Sequence, residues 1–355
     1  MALILIGTGL AMLSANPASP LSQHEGRTDL DIAGGGAGTV IGPRVAHHET
    51  PPLRWGLRSL DAPTAWQTTR GSRNTVVAVI DSGIDRTHPA LAGRLWQNPN
   101  EIAGNGVDDD GNGYVDDIHG WDFRDADNDA LSGSPFHPHG TFVAGLIAAT
   151  VDATGVGGVA PDVRLMDLRF LDARNAFRQG DWPRFTAAVD YAVGNGADVI
   201  NLSVTARDEP PPAFRQALRR AVDEGIVIVG AVGNRTSHVS YPAKYPEVIA
   251  VTAIDAGDRI AYFSNAGPEV ELAAPGSRVT SLHPDKGVQS GSGTSFAAAH
   301  VSGAVALLHS LNPQLSVVGA RRLLHRGARD LGEAGRDERF GFGVADAAAA
   351  VRSLR

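Results

Sequence analysis

Four polar residues of complementary chemistry each follow or open an apolar segment of the sequence. Ser295 stands behind the glycines of SGSGTS at the start of a long apolar run, and His139 opens the segment HGTFVAGLIAAT. Asp81 follows the run TVVAVI, and Asn234 follows GIVIVGAVG. Nucleophilic catalysis needs a hydroxyl, a base that takes its proton, an acid that orients the base and a donor for the developing oxyanion. The four residues supply one group of each kind.

Each of these residues also has an ordinary structural explanation. Serine is a favoured helix N-cap, and aspartate and asparagine are common in turns and loops. A histidine at a helix start can be a satisfied polar group. What favours a joint chemical role is their placement, because all four are expected at strand ends and helix starts on one edge of a sheet.

The segments that must position these residues alternate between two kinds. From Leu53 onward, short runs rich in valine and isoleucine, such as TVVAVI, ADVINLS and GIVIVGAVG, are separated by RFTAAVDYAVGNG and PAFRQALRRAVDEG, which have helical apolar spacing and a closing glycine. Continuous apolar strands separated by helices predict a parallel sheet covered on both faces. With no internal repeat in view, the prediction is one α/β domain of about 300 residues.

Composition excludes several classes of function. The chain has 355 residues, of which 43% are hydrophobic, and a formal net charge of -8 without a block of basic residues. This charge argues against nucleic acids and anionic membrane surfaces as main partners. The chain has no cysteine, so disulfides, thiolate metal sites and a cysteine nucleophile are excluded.

The amino-terminal segment has the composition of a targeting signal. MALILIGTGLAMLSANPASP is a short apolar run that ends in small residues, so residues 1–18 are predicted to be a secretory signal peptide. Residues 19–52 contain AGGGAG and few large apolar side chains, which indicates a flexible leader or short pro-segment. The folded domain is then residues 53–355. Secretion or a periplasmic location is the prediction, and a cytoplasmic protein with an apolar start is the alternative.

Several segments together resemble the subtilisin-like serine proteases. They are VVAVIDSGID, HGTFVAGLIAA, GAVGN and SGSGTSFAAAHVSGAVALL, in the chain order Asp, His, Asn, Ser, supported by GADVINLS, YPAKYPEVIAV and FSNAGPEVELAAPG. The resemblance implies a three-layer fold and a serine endopeptidase that acts through an acyl-enzyme. It assigns Asp81, His139 and Ser295 to the catalytic triad and Asn234 to the oxyanion hole.

The resemblance also implies where an extended peptide would bind. One wall contains NLSVTARDE, in which Val-Thr-Ala follows Ser203 where relatives usually carry Leu-Gly-Gly. The other wall precedes Asn234, with Ser240 near the pocket floor. No charged residue is expected in the pocket, so an apolar residue before the cleaved bond is predicted. The substrate-binding candidates are Ser203, Val204, Thr205, Ala231, Val232, Gly233 and Ser240.

An acidic stretch, NGVDDDGNGYVDDIHGW, has oxygen-bearing side chains at every second position. Asp108, Asp110, Asn112 and Asp116 resemble the first half of a calcium-binding loop, and a bound calcium ion is the prediction. A solvated acidic turn is the alternative, because the terminal glutamate of an EF-hand is absent. A different calcium site of the family lacks its usual aspartate, since Ala90 stands there in HPAL.

Two hypotheses remain for the activity. The first is an active endopeptidase whose partners are peptide or protein substrates, without an organic cofactor, and which is a monomer. The second is a catalytically inactive relative that binds peptides, motivated by the altered groove and by a leader shorter than a folded pro-domain. An α/β-hydrolase esterase is excluded, because its nucleophile elbow requires glycine where Ala297 stands.

Overall fold

The structure, a computed structural model, describes residues 55–129, 137–151 and 156–354. The predicted signal peptide (1–18) and leader (19–52) lie outside the described residues. The strands are β1 (Val76–Asp81), β2 (Gly120–Asp122), β3 (Arg164–Arg169), β4 (Val199–Leu202), β5 (Val227–Ala231), β6 (Val248–Ile254), β7 (Val270–Pro275), β8 (Val279–His283) and β9 (Gly287–Gly291). The α-helices are α1 (Trp55–Ser59), α2 (Ala62–Ala65), α3 (His139–Ala148), α4 (Trp182–Gly194), α5 (Pro212–Asp223), α6 (Thr294–Leu311), α7 (Val317–Gly327) and α8 (Ala347–Arg352), with 3₁₀ turns at Pro89–Leu91 and Gln179–Asp181.

Strands β1 to β7 form one sheet in the order β2-β3-β1-β4-β5-β6-β7, and neighbouring strands are parallel. The predicted parallel sheet is therefore confirmed. Its central strands are buried along their whole length, which explains why they read as continuous apolar runs. Strands β8 and β9 form a separate antiparallel hairpin that leads directly into α6.

Alternate residues of β1 belong to two different hydrophobic clusters. Val77 and Val79 share a cluster with residues of α3 and α6, whereas Ala78 and Ile80 share one with residues of α4 and α5. Because successive side chains of a strand point to opposite faces, the sheet is the middle of three layers. The three-layer α/β fold that the resemblance implies is confirmed.

Helix α6 lies inside this arrangement. Among the described residues it is long and apolar enough to cross a membrane by composition, but 89% of it is buried within the protein. It packs against strands β4 to β7 and against α3. Its apolar character is therefore that of a core helix.

Candidate active site

A carboxylate and an imidazole meet where β1 ends and α3 begins. Asp81 is the last residue of β1, His139 is the first residue of α3, and both are buried. Nδ1 of His139 lies 2.8 Å from Oδ1 and 3.0 Å from Oδ2 of Asp81. A carboxylate only accepts, so Nδ1 of the neutral ring carries the proton and Nε2 is the acceptor. Among the residues that the structure describes, Nε2 has no hydrogen-bond partner.

Ser82 and two glycines hold the start of α3 against the end of β1. The Ser82 hydroxyl donates to the carbonyl oxygen of His137 at 2.8 Å and accepts the N–H of Gly140 at 3.0 Å. A Cβ atom on Gly140 would collide with the carbonyl oxygen of Gly83, so only glycine permits this approach. These contacts fix the imidazole ring relative to the carboxylate. In the sequence, these contacts are signalled by Ser-Gly directly after Asp81 and by Gly directly after His139. The sequence analysis gave Ser82, Gly83 and Gly140 no role.

The hydroxyl of Ser295 lies at the amino-terminal end of α6. Ser295 is the second residue of this helix and is buried. Its Oγ donates to the carbonyl oxygen of Ser203 at 3.2 Å, and Oγ of Ser203 donates to the carbonyl oxygen of Ser295 at 3.3 Å. The ring of Phe296, the next residue, has its centroid 5.6 Å from that of His139. The start of α6 therefore lies beside the imidazole.

Asn234 is tied to the same helix terminus. Its Oδ1 accepts both the backbone N–H and the hydroxyl of Thr294, each at 2.9 Å. A backbone N–H can only donate, so the orientation of the amide group is determined and Nδ2 is the end directed away from Thr294. Gly233 donates its own N–H to Oγ1 of Thr294 at 3.1 Å. The structure thus brings all four predicted catalytic residues to one edge of the sheet.

Most of the predicted substrate-binding residues have buried side chains. Gly233 has a φ of 108°, and a Cβ there would lie 2.5 Å from Nδ2 of Asn265. Ser240 is partly exposed beside this glycine. The fully buried members, which expose no side-chain surface to a peptide, are Ser203, Val204, Thr205, Ala231 and Val232.

Two further features next to the site were not assigned roles from the sequence. Phe142 and Phe296 are in contact, with ring centroids 4.1 Å apart, and with His137 and His139 they line a cavity of about 40 Å³. Asn265, from the segment FSNAGPE, makes several bonds to the loop that carries Asn234. Backbone contacts of this kind leave no spacing pattern in a sequence.

The acidic loop gathers three carboxylates that differ in part from the predicted set. Oxygen atoms of Glu101, Asp110 and Asp117 lie within 4.8 Å of one another. Asn112 donates its amide N–H groups to Asp110 and Asp117 at 3.1 and 2.9 Å. The carboxylate of Asp108 instead accepts the backbone N–H groups of residues 112 and 113.

The carboxylate of Asp116 accepts the backbone N–H groups of residues 105 and 106 and lies outside the three-carboxylate cluster. Glu101 accepts the backbone N–H groups of residues 109, 110 and 116 and lies within it. Glu101, by contrast, was not predicted as a ligand. It lies seven positions before the acidic repeat begins, outside the spacing on which that prediction depends. Residues 98–117 contain six carboxylates and no lysine or arginine. Three carboxylates without nitrogen or sulfur ligands are the donor set of a hard divalent cation such as calcium.

Comparison with known proteins identifies the family to which the chain belongs. The model of the subtilase family matches residues 72–343. The chain is 36% identical over 261 residues to the major intracellular serine protease of Bacillus subtilis (strain 168), covering 72% of this chain and 74% of that protein. It is 34% identical over 269 residues to thermitase of Thermoactinomyces vulgaris, and the match covers 75% of this chain and 86% of thermitase.

A third relative is the minor extracellular protease Epr of Bacillus subtilis (strain 168), which is 32% identical over 293 residues, or 82% of this chain and 40% of Epr. The chain belongs to the subtilase family, and it is a serine-type endopeptidase.

His137 gives the site a titratable group besides the predicted catalytic ones. Its Nδ1 accepts the backbone N–H of His139 at 3.2 Å, which requires that nitrogen to be unprotonated. Burial lowers the pKa of His137 to about 4, and the charge of His139 acts in the same direction. An unfolded histidine has a pKa of about 6.5. As the pH falls, His137 therefore binds a proton in the unfolded chain before it does so in the folded protein. The contribution of neutral His137 to the free energy of unfolding is complete above about pH 6.5 and is lost as the pH falls toward about 4.

We predict that His137→Asn makes the protein less sensitive to acid. Asparagine can accept the same N–H but does not titrate, so the free energy of unfolding should fall less between pH 6.5 and pH 4.5 than in the parent protein. Urea denaturation at both pH values measures this, with Ser295→Ala in every sample to prevent self-digestion. His238→Asn, at an exposed position, is the control and should keep the parent's pH dependence. Equal losses in the parent and His137→Asn would contradict the prediction.

Proposed function

We propose that the protein hydrolyses peptide bonds through an acyl-enzyme formed on Ser295, with His139 as general base, Asp81 as its orienting carboxylate and Asn234 as oxyanion donor. The observation that carries the proposal is the Asp81–His139 hydrogen bond, which leaves Nε2 as an acceptor beside the start of α6. Membership of the subtilase family supports the reaction class. The hydroxyl, base and acid required for acyl transfer come from α6, α3 and β1 respectively.

In the first half of the reaction, Oγ of Ser295 attacks the carbonyl carbon of the substrate. Rotation of the hydroxyl from the Ser203 carbonyl toward Nε2 of His139 lets the imidazole take the proton as the new C–O bond forms. The imidazolium then gives that proton to the leaving amine as the C–N bond breaks. Water repeats the sequence to release the acid product. Asp81 holds Nδ1 throughout and stabilises the imidazolium.

The negative charge of the tetrahedral intermediate falls on the former carbonyl oxygen. Nδ2 of Asn234 and the backbone N–H of Ser295 are the proposed donors to it. The second lies in the first turn of α6, where backbone N–H groups have no partner within the helix and the helix dipole favours negative charge. Donors held in place before the reaction cost no reorganisation when the charge forms.

An extended peptide is the proposed substrate. Residues 203–205 are the proposed wall along which the peptide lies, and in the structure at most 1% of the surface of each is exposed. The proposed pocket for the residue before the cleaved bond is formed by residues 231–233 and Ser240, none of them charged, and an apolar residue is expected there. The protein would act as a monomer on such substrates.

We predict that a fluorophosphonate serine-hydrolase probe labels Ser295 of the purified protein, as mapped by peptide mass spectrometry. Ser295→Ala should abolish labelling and reduce kcat on a peptide p-nitroanilide by about 10⁶, the size known for subtilisin. Asn234→Ala should reduce kcat by about 10²–10³ with little change in KM.

The matched control is Ser310→Ala, on the same helix but at its far end, where the hydroxyl bonds only a helix carbonyl. It should retain labelling and activity. Absence of labelling in the folded parent protein, with calcium or with chelator, would favour the inactive peptide-binding alternative.

We further propose that Glu101, Asp110 and Asp117 bind one structural calcium ion. The concentration of negative charge is the support, because closely spaced carboxylates repel each other unless a cation lies among them. Asp117 is fully buried and accepts hydrogen bonds from Asn98, Asn112 and Tyr191, and a cation would further compensate its charge. The ion would stabilise the loop and would take no part in the reaction.

Calcium should therefore raise the melting temperature of the Ser295→Ala protein, and chelator should lower it. At a calcium concentration one hundred times Kd, the stabilisation expected is about 2.7 kcal/mol. Asp110→Asn and Glu101→Gln should remove most of this dependence, while Asp223→Asn, an exposed change on α5, should keep it. A calcium effect that survives both loop variants would contradict the assignment.

Export through residues 1–18 is our proposal for location. The relatives named as intracellular and as extracellular proteases do not decide between compartments, so the support is the apolar run and its small-residue end. Full-length protein expressed in a bacterial host should appear in the periplasm or medium with a shortened amino terminus. Leu5→Arg should block export by interrupting the apolar run. Parent protein that keeps Met1 and stays in the cytoplasm would contradict the proposal.

A further inference from the structure

The loop that carries Asn234 has no regular secondary structure of its own. It follows β5 at Val232 and runs to Ser240, and residues 235–238 are exposed. An oxyanion donor must nevertheless be fixed to a few tenths of an ångström if it is to stabilise the intermediate without reorganising. The contact of Asn234 with Thr294 holds one end of its side chain. The backbone of the loop needs its own support.

Asn265 supplies that support from the segment between β6 and β7. Its side chain is buried, with 2% of its surface exposed. Oδ1 accepts the backbone N–H groups of Arg235 at 2.9 Å and Ser237 at 3.1 Å. Nδ2 donates to the carbonyl oxygens of Val232 at 3.0 Å and His238 at 2.8 Å.

Two more bonds complete the contact. Nδ2 of Asn265 also lies 3.2 Å from Oγ of Ser240, and the backbone N–H of Asn265 donates to the carbonyl oxygen of Gly233 at 2.9 Å. The partners therefore lie on both sides of Asn234 in the chain. The tight approach of Asn265 to Gly233, where no Cβ would fit, adds a packing constraint to the hydrogen bonds.

The chemistry of these bonds requires a side-chain amide of this length. Two partners of the side chain are N–H groups that only donate, and two are carbonyl oxygens that only accept. An aspartate at position 265 would place a second acceptor oxygen, instead of the Nδ2 donor, against those carbonyl oxygens. A serine side chain is too short to reach both the N–H groups and the carbonyl oxygens. Both sets belong to the main chain, so the side chain of Asn265 constrains the path of the loop together with the bonds that Thr236 makes to Phe263 and Tyr262 and the bond from Ala266 to Ser237.

We propose that Asn265 is a positioning residue for the oxyanion hole, which holds the backbone on both sides of Asn234 and so fixes where Nδ2 of Asn234 lies. This rests on the proposed function of Asn234 as oxyanion donor. Asn265 bonds Gly233 and Ser240 beside the proposed pocket but is not itself a proposed donor to the substrate, and its effect on the reaction would act through Asn234. Its loss should consequently raise the energy of the transition state more than that of the bound substrate.

The kinetic test compares Asn265→Asp and Asn265→Ser with the parent protein on a peptide p-nitroanilide. Both variants should lower kcat about tenfold, less than the loss of the donor itself, and should change KM by less than about twofold. The control is Asn195→Asp, whose amide makes one bond to a backbone carbonyl at the end of α4. It should leave kcat unchanged. An unchanged kcat in both folded Asn265 variants, or a loss that appears in KM alone, would overturn the proposal.

A double-mutant cycle separates positioning from a general structural effect. In an Asn234→Ala background, the Asn265 variants should lower kcat by less than about twofold, because the donor that they position is already gone. A tenfold loss that persists in this background would show that Asn265 supports the fold and not the donor. Melting temperatures of all variants identify any contribution from unfolded protein.

Amide hydrogen exchange tests the same contact without using activity. In Asn265→Ser, the N–H groups of Arg235 and Ser237 lose their acceptor, and exchange in the peptide 232–240 should accelerate at least about tenfold. Asn195→Asp should show parent rates there. Unchanged exchange would contradict the role of Asn265 in holding the loop, even if the protein had no peptidase activity. Faster exchange in a protein without peptidase activity would support that role and contradict only the proposed function.

Discussion

The burial of α6 is the constraint on which the arrangement of the site depends. This helix is enclosed by four strands and α3, so its amino-terminal end cannot move relative to the carboxyl ends of the strands. Thr294 and Ser295 at that end bond the residues that follow β4 and β5, namely Ser203, Gly233 and Asn234. The proposed nucleophile and the proposed oxyanion donor are thus located by the core itself. Only the imidazole comes from a different helix, and the Asp81 contact connects it to β1.

The same edge of the sheet also contains a buried charge network. Asp81, Arg169 and Asp122 occupy one row across β1, β3 and β2. Arg169 is fully buried and bonds Asp122 at 2.8 Å and Asp125 at 3.3 Å. Burial raises the pKa of Asp122 to about 6, while the guanidinium of Arg169 acts in the opposite direction. A buried cation beside the buried carboxylate of Asp122 avoids the large cost of an unpaired charge.

The sequence revealed the residues whose position follows from their own element. Asp81 and Asn234 follow strands, His139 and Ser295 begin helices, and parallel topology then requires that they meet. Asn265 could not be identified from the sequence, because its side chain bonds main-chain groups about thirty positions earlier. The residue types at those positions do not indicate the contact. In the acidic loop, spacing pointed to Asp110, which lies with Glu101 and Asp117, but it could not show that Asp108 closes a turn, since turn closure and cation binding use the same oxygen atoms.

The burial of the groove residues bears on how the enzyme selects its substrates. The Val-Thr-Ala segment places Cβ atoms where relatives usually carry two glycines, and the side chains of Val204 and Ala206 point into the core cluster beneath. The main chain of this segment is buried together with its side chains, so the segment offers a peptide little surface of either kind. Discrimination between substrates is left to the few places where side chains face the site. Of the predicted substrate-binding residues, Ser240 alone is partly exposed, so the selectivity that we propose for this pocket depends on Ser240 and its neighbours.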